Sequence, residues 1–218
     1  MAEDANKYYR EELKRLADDN RDMRDSLGLI YESVRAMAAL YHVSQNITAD
    51  TDLLALLSRI LETSLAVLKA SDGSLLLLDE ATNELVFAVV RGSVADALLG
   101  YRLPPGAGIA GWVVDHCEPQ IIMDVRRDAR FYPLVDETFG LTTRSMVCVP
   151  IYLDNGRTLG VIEILNKTSD REFTQDDLNL ILIVAQLAAT AIRRAERATE
   201  EVEVKERRAA LLSAVKPR

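Results

Sequence analysis

Pro104-Pro105-Gly106-Ala107-Gly108-Ile109-Ala110-Gly111-Trp112-Val113-Val114 is a glycine-rich turn that runs into a short apolar helix, and the fold is read outward from it. Downstream come Arg144-Ser145-Met146-Val147-Cys148-Val149-Pro150-Ile151, then Asp154-Asn155-Gly156, then Leu159 to Leu165: two apolar strands around a tight turn. The Asn-Gly pair predicts a type I′ hairpin, in which both central residues take φ > 0. Between helix and hairpin lies Asp124-Val125-Arg126-Arg127-Asp128-Ala129-Arg130-Phe131-Tyr132-Pro133, too polar for core and too aromatic and charged for a plain linker. It is expected to roof a concave space between the two, which is the geometry of a small-molecule pocket.

As a set, Gly108-Ile109-Ala110-Gly111-Trp112-Val113, Glu118-Pro119, Asp124 with Asp128-Ala129-Arg130-Phe131, Arg144-Ser145, Val149-Pro150 and Gly160-Val161-Ile162 resemble GAF domains over roughly residues 51–196. The resemblance implies an α+β fold, an α/β sandwich with a central antiparallel sheet of about six strands and helices packed on it. It also implies a ligand cavity under a lid. It leaves the ligand open, because GAF domains bind very different molecules.

With 49% hydrophobic and 28% charged residues, the 218-residue chain suits one globular domain plus extensions. A net charge of −8 leaves no basic surplus to neutralise phosphates, which argues against a nucleic-acid or anionic-membrane binder. Met1 to Asn6 lacks the charged-then-apolar pattern of a signal peptide, and no apolar run of the ~18 residues needed to span a bilayer is expected. Cys117 and Cys148 make neither a metal-site spacing nor a disulfide framework, so a reducing, cytoplasmic setting is expected.

Residues 1–46 read as an N-terminal coiled-coil helix. Tyr9, Leu13, Leu16, Asn20, Met23, Leu27, Ile30, Val34, Met37 and Tyr41 recur at steps of four and three. With Leu13 at position a, Asn20 also falls at a, where it fixes register in a two-stranded parallel seam, and Asp19 can reach Arg24 of the partner helix. A parallel homodimer follows, with an amphipathic helix packing back on its own domain as the alternative. Gly28 weakens this helix by ~1 kcal/mol relative to alanine. Asp50 or Thr51 then caps a helix whose Leu53, Leu54, Leu57, Ile60, Leu61, Leu65 and Leu68 share one face, and Ser71-Asp72-Gly73 ends it. Strands follow at Ser74–Leu78 and Leu85–Val90, with a short helical connector from Val94 to Leu99. The last helix starts at Gln175, capped by Thr174 with Asp177 completing a capping box and Lys167 as an ion-pair partner. Its seam is Leu178, Ile181, Ala185, Ala188, Ile192 and Ala195, and a more charged helical tail occupies 197–218.

The same resemblance places functional residues. In cyclic-nucleotide-binding GAF domains, the positions of Ser74, Ile109, Ala110, Asp124 and Thr143 contact the nucleotide, and Phe131 belongs to the roofing segment. Amides at a glycine-flanked helix start can hold a phosphate. Arg91 stands about where cyclic-GMP binders carry an acid, and Phe139 where they carry a small hydroxyl residue. An arginine cannot accept hydrogen bonds from guanine, so Arg91 is expected to select an anionic ligand through its planar fork. Asn166-Lys167, Phe173 and Asp177 resemble the signature of those domains, with Leu178 in place of its final glutamate; the residues themselves read as scaffold. The free methionine-R-sulfoxide reductases of the family use cysteines where this chain has Ala110 and Met123, so that chemistry is not expected. Cys117 and Cys148 read as small buried hydrophobes, and His42 and His116 lack a third ligand for a metal. The function expected is a non-catalytic sensory or regulatory module. It would bind a small anionic or nucleotide-like ligand, a cyclic nucleotide or another anion, and signal through flanking helices to a protein in trans. A structural homodimerisation or adaptor protein with an empty pocket stays open as the competing reading.

Overall fold

The computed structural model describes residues 52–168 and 171–214, together with Tyr9, Arg10, residues 12–17, Asn20 and Ala38. The chain divides into two units, 1–39 and 40–218. In the first, the described residues are helical, and Tyr9, Leu13 and Leu16 present apolar side chains to solvent. The heptad positions Met23, Leu27, Ile30, Val34, Met37 and Tyr41 lie outside the described residues.

The second unit begins with α1, Leu53–Leu68. Its N-cap is Asp52, whose carboxylate accepts from the Ala55 amide at 3.0 Å, in place of the expected Asp50 or Thr51. Leu56, Leu57, Ile60, Leu61, Leu65 and Leu68 are buried, whereas Leu54 is exposed. The helix stops earlier than its sequence suggests. Lys69 takes a left-handed conformation (φ 52°) and returns its amide to the Leu65 carbonyl, so Ser71-Asp72-Gly73 already belong to strand β1, Ala70–Asp79. Then follow β2 (Glu84–Arg91), α2 (Ala95–Leu98), β3 (Arg102–Leu103), α3 (Gly108–His116), β4 (Gln120–Ile122), a 3₁₀ turn (Val125–Arg127), α4 (Leu134–Phe139), β5 (Met146–Tyr152), β6 (Thr158–Lys167) and α5 (Gln175–Ala214).

The strands form one antiparallel sheet in the order β3-β2-β1-β6-β5-β4. Side chains alternate across it. Met146, Cys148, Val161 and Leu165 join Ile109, Ala110 and Val113 of α3 in one core, while Val147, Val149, Ile151, Ile162 and Ile164 fill the other face, covered by α1 and α5. Burial on both faces explains why β5 reads as an unbroken apolar run and Leu159–Leu165 of β6 as one interrupted only by Glu163. The hairpin between them differs from the type I′ expectation. Only Gly156 has positive φ (84°), its amide donates to the Leu153 carbonyl, and Leu153 pairs with Arg157 around a three-residue loop. Asn155 instead uses its side chain, accepting from the Arg157 amide at 3.1 Å, a local bond that favours the longer turn.

α5 keeps the expected seam, with Leu178, Ile181, Val184, Ala185, Ala188, Ala189, Ala191 and Ile192 buried and Ala195 only half-buried. Within Gln175–Lys205 it is long and apolar enough to cross a membrane by length and composition. Its apolar face is the one packed in the core. At its start, the Asp177 amide donates to the Thr174 hydroxyl (3.2 Å) and the Thr174 amide to Asp177 Oδ2 (2.8 Å). The Lys167 ammonium pairs with that same carboxylate and lies 5.2 Å from the ring centre of buried Phe173. The pair is nearly enclosed, so breaking it strands a charge.

Asp177→Ala should therefore lower stability by about 2 kcal/mol, from the lost cap and the unpaired lysine. Asp177→Asn, which keeps an acceptor for the cap, should recover part of that. Urea denaturation at constant slope measures both, and an alanine variant as stable as wild type would make the pair ornamental.

Candidate functional site

The open ends of β1 and β2, the start of α3, the end of β6 and the segment 124–143 enclose a cavity of about 70 Å³. Its walls are mainly apolar, with Phe87, Leu98, Leu103, Ile109, Leu141 and Met146 among them. Six of the seven residues expected at a site line it: Ser74, Arg91, Ile109, Ala110, Phe131 and Thr143.

Asp124 does not. Its carboxylate accepts from the Arg126 amide at 3.1 Å and pairs with Arg127 at 3.2 Å, capping the 3₁₀ turn on an outer groove beside Met123, Thr142 and Arg144. A short acid two residues before a free amide satisfies its own backbone first.

Arg91 lines the cavity, and its guanidinium is bonded to neighbouring protein groups. One terminal nitrogen donates to the Ser58 hydroxyl on α1 and the other to the Val90 carbonyl at 3.2 Å. Thr143 is likewise occupied: its amide and its hydroxyl both donate to Asp136 of α4, each at 2.7 Å. That double bond latches α4 over the cavity. The roots of the lid are held too. Val125 donates to the Arg144 carbonyl, and Asn166 accepts from the Arg144 amide (2.8 Å) while donating to the Thr142 carbonyl (2.9 Å). Farther out, Arg130 pairs with Asp128 at 2.7 Å, reaches Gln120 at 3.1 Å, and lies 4.5 Å from the Trp112 ring, which clasps the lid to α3 and β4. The Arg130 guanidinium pulls the Asp128 carboxyl below its usual range. Phe139 is part of the lid packing, edge-on to Tyr101 at 5.0 Å.

Three carboxylates of the cavity are absent from the sequence reading: Asp72, Asp136 and Glu163. Glu163 is the most informative. It is 8% exposed, and one of its oxygens accepts from the Ser74 hydroxyl across the β1–β6 pair at 2.8 Å. Burial pushes its pKa up to about 7, against the opposing pull of the Ser74 hydrogen bond. Its signal in the sequence is plain in retrospect, as the only charge in the apolar run Leu159–Leu165. Asp72 is 9% exposed and accepts from the Ser71 hydroxyl, the Ser93 amide (3.2 Å) and, at 3.4 Å, the Asn166 side chain. Gly92, at φ 127°, allows this approach, because a Cβ there would stand 2.1 Å from the Asp72 carboxylate.

The two thiols part company. Cys148 is fully buried opposite Glu163, and its pKa is pushed well up by burial and then by that neighbour. Cys117 is exposed at the left-handed end of α3, against the expectation that it packs in the core, because that cap position lies outside the helix's buried face. His116 lies beside it, stacked on Trp112 at 4.2 Å. Among the described residues, no three His, Cys, Asp or Glu side chains gather as a metal site.

A family model described as GAF domain matches residues 50–193. The chain is 34% identical over 115 residues to the dual 3′,5′-cyclic-AMP and -GMP phosphodiesterase 11A of Takifugu rubripes, covering 52% of this chain and 13% of that protein. The GAF domain of a phosphoenolpyruvate-protein phosphotransferase from Coxiella burnetii superposes with a TM-score of 0.67 at 18% identity, covering 77% of this chain and 96% of that one. Free methionine-R-sulfoxide reductase from Neisseria meningitidis, in complex with its substrate, gives 0.63 at 20% identity, covering 76% and 91%. These two structural likenesses establish the fold alone. The chain spans about an eighth of the phosphodiesterase it matches.

Glu163 should leave a mark on pH-dependent stability. Between its ordinary pKa of 4.5 and its folded value of about 7, the folded chain holds a proton that the unfolded chain has lost. Stability from this group is thus full below pH 4.5 and falls by about 3 kcal/mol as pH rises through 7. Glu163→Gln should remove that slope and be the more stable protein at alkaline pH. Urea titrations across this range measure it, and parallel curves for the two proteins would refute a neutral buried carboxyl.

Proposed function

The chain belongs to the GAF domain family, and on that premise we propose that it is a non-catalytic sensory module in a cytoplasmic setting. It binds a small ligand beneath the lid 124–143 and passes the state of the lid to its flanking helices, where a protein in trans reads it. The observation that carries this reading is the connection between lid and helix. Asn166 holds Thr142 and Arg144 at the lid's root, and the next residue, Lys167, holds Asp177 in the first turn of α5. A displaced lid root reaches the start of α5 through one peptide bond.

The ligand that suits the walls is dipolar. Ala107 gives α3 no side-chain cap, and no protein acceptor among the described residues takes the amides of Gly108, Ile109 and Ala110, so an anionic or nucleotide-like group fits there. Arg91, the expected anion selector, is engaged with Ser58 instead. The opposite wall, with Asp72 and Glu163, suits N–H donors. A space of 70 Å³ is small beside the ~300–1,000 Å³ of typical ligand pockets, so a nucleotide-sized molecule enters with outward movement of α4. The same small volume favours the competing reading, a homodimerisation or adaptor protein with an empty pocket. Catalysis has little to work with. Ser74 and Glu163 are hydrogen-bonded, yet both described partners are buried and no imidazole lines the cavity to relay a proton.

Native mass spectrometry of the full chain, purified without denaturation, should show one small molecule retained per protomer and lost in Thr143→Val, which opens the latch. A bare mass under all conditions would favour the adaptor. For the flanking helix, we propose a parallel homodimer held mainly by residues 9–41. Sedimentation of a chain truncated to begin at Ala49 should show monomer, and a dimer of undiminished strength would move the interface to α5.

A further inference from the structure

The inner wall of the cavity is acidic, and its geometry says what it is built to meet. Asp72 and Ser74 project from the same face of β1, opposite Leu165 and Glu163 of β6. The two carboxylates are thus diagonal neighbours on one face, within reach of a single group set between them. Both are at least nine-tenths buried. Glu163 gives one oxygen to the Ser74 hydroxyl, and its other oxygen meets no protein donor among the described residues. Asp72 accepts from the Ser71 hydroxyl, the Ser93 amide and the Asn166 side chain, which leaves it a lone-pair site for one further donor, and the other charged groups have partners of their own. Arg91 is turned to Ser58 and Val90, and Asp136 is closed on Thr143. An anion placed against this wall would face two carboxylates, while Arg91, farther along the lining, spends donors on Ser58 and Val90.

We propose that this wall is a subsite for a cationic nitrogen, a protonated amine or guanidinium that donates N–H bonds to Glu163 and Asp72 together. This rests on the reading of the cavity as a ligand site and names the chemistry of the ligand's inner end. The buried proton that Glu163 holds near neutrality is then a substitute for the missing cation. When the cation binds, Glu163 gives up that proton to solvent and accepts the ligand's N–H in its place. The free oxygen of Glu163 supplies the direction, and Ser74 keeps the carboxylate oriented by holding the other oxygen.

Three probes of one shape separate the alternatives: methylguanidinium, its neutral analogue N-methylurea, and acetate as a small anion. Each is titrated into the full chain at slightly alkaline pH, following the backbone amide resonances of Ser74 and Glu163. Methylguanidinium should bind at least about tenfold more tightly than methylurea, the range expected for charge-assisted bonds, and acetate should leave those resonances in place. Glu163→Gln, which preserves shape, should cost the cation about tenfold while leaving methylurea nearly unchanged. Asp72→Asn should act in the same direction. Methylurea or acetate binding at this wall as well as the cation would overturn the cationic subsite and leave the ligand-site reading standing. If no probe moves these resonances, the cationic subsite fails, while the ligand-site reading stands or falls on the mass-spectrometric result.

Discussion

One buried carboxyl sets the register on which the sheet is built. β5 and β6 are apolar on both faces, so hydrophobicity alone would tolerate a slip of one residue. Glu163 removes that freedom. In the observed register it stands opposite Ser74, whose hydroxyl it accepts. Shifted by one, it would turn toward the face covered by α1 and α5, among Leu57, Ile60 and Ile181, where an unpaired carboxyl is costly. The same register puts Asp72 on the cavity side and brings Asn166 to the strand end where the lid returns.

The lid is held unevenly. Its roots and outer half are fastened by the Asn166 side chain and by the Arg130 clasp on Trp112. Its inner half is held by the Asp136 carboxylate bonded to Thr143 and by the packing of Val135 and Phe139 on the core. α4 buries none of its own residues completely, and Val135 and Phe139 pack on the core only in part, so less apolar area opposes its release than holds the strands. The part of the lid nearest the cavity is therefore the part most easily moved, while the segment as a whole keeps its place.

Much of this was legible in the sequence. The glycine-rich start of α3, the helical faces and the capping box at Thr174 and Asp177 are local patterns, and local patterns survive folding. The site was legible in outline, since six of seven expected residues reach the cavity. What escaped depended on orientation. Arg91 sits where expected, but which way its long side chain turns is decided by Ser58, distant in sequence. Asp124 resembled a ligand contact and is an intraloop cap. Glu163 went unread because strand periodicity does not say which face is a cavity. Leu54 fits the apolar stripe of α1 and is exposed, because the stripe is wider than the surface that covers it.

α5 runs for 40 residues, about 60 Å of helix. No residue beyond Ile192 whose burial is described is buried, and the last described ties to the β5–β6 hairpin are the pairs Arg193–Asp154 and Glu196–Arg157, so nearly half of the helix extends past its support. A helix fixed near one end is a lever. If the packed segment Leu178–Ile192 turns by about 5°, the part beyond Glu196 sweeps roughly 2 Å at its far end. In the signalling reading proposed above, that amplification is what would turn a small change at the lid root into a displacement at the far end of α5.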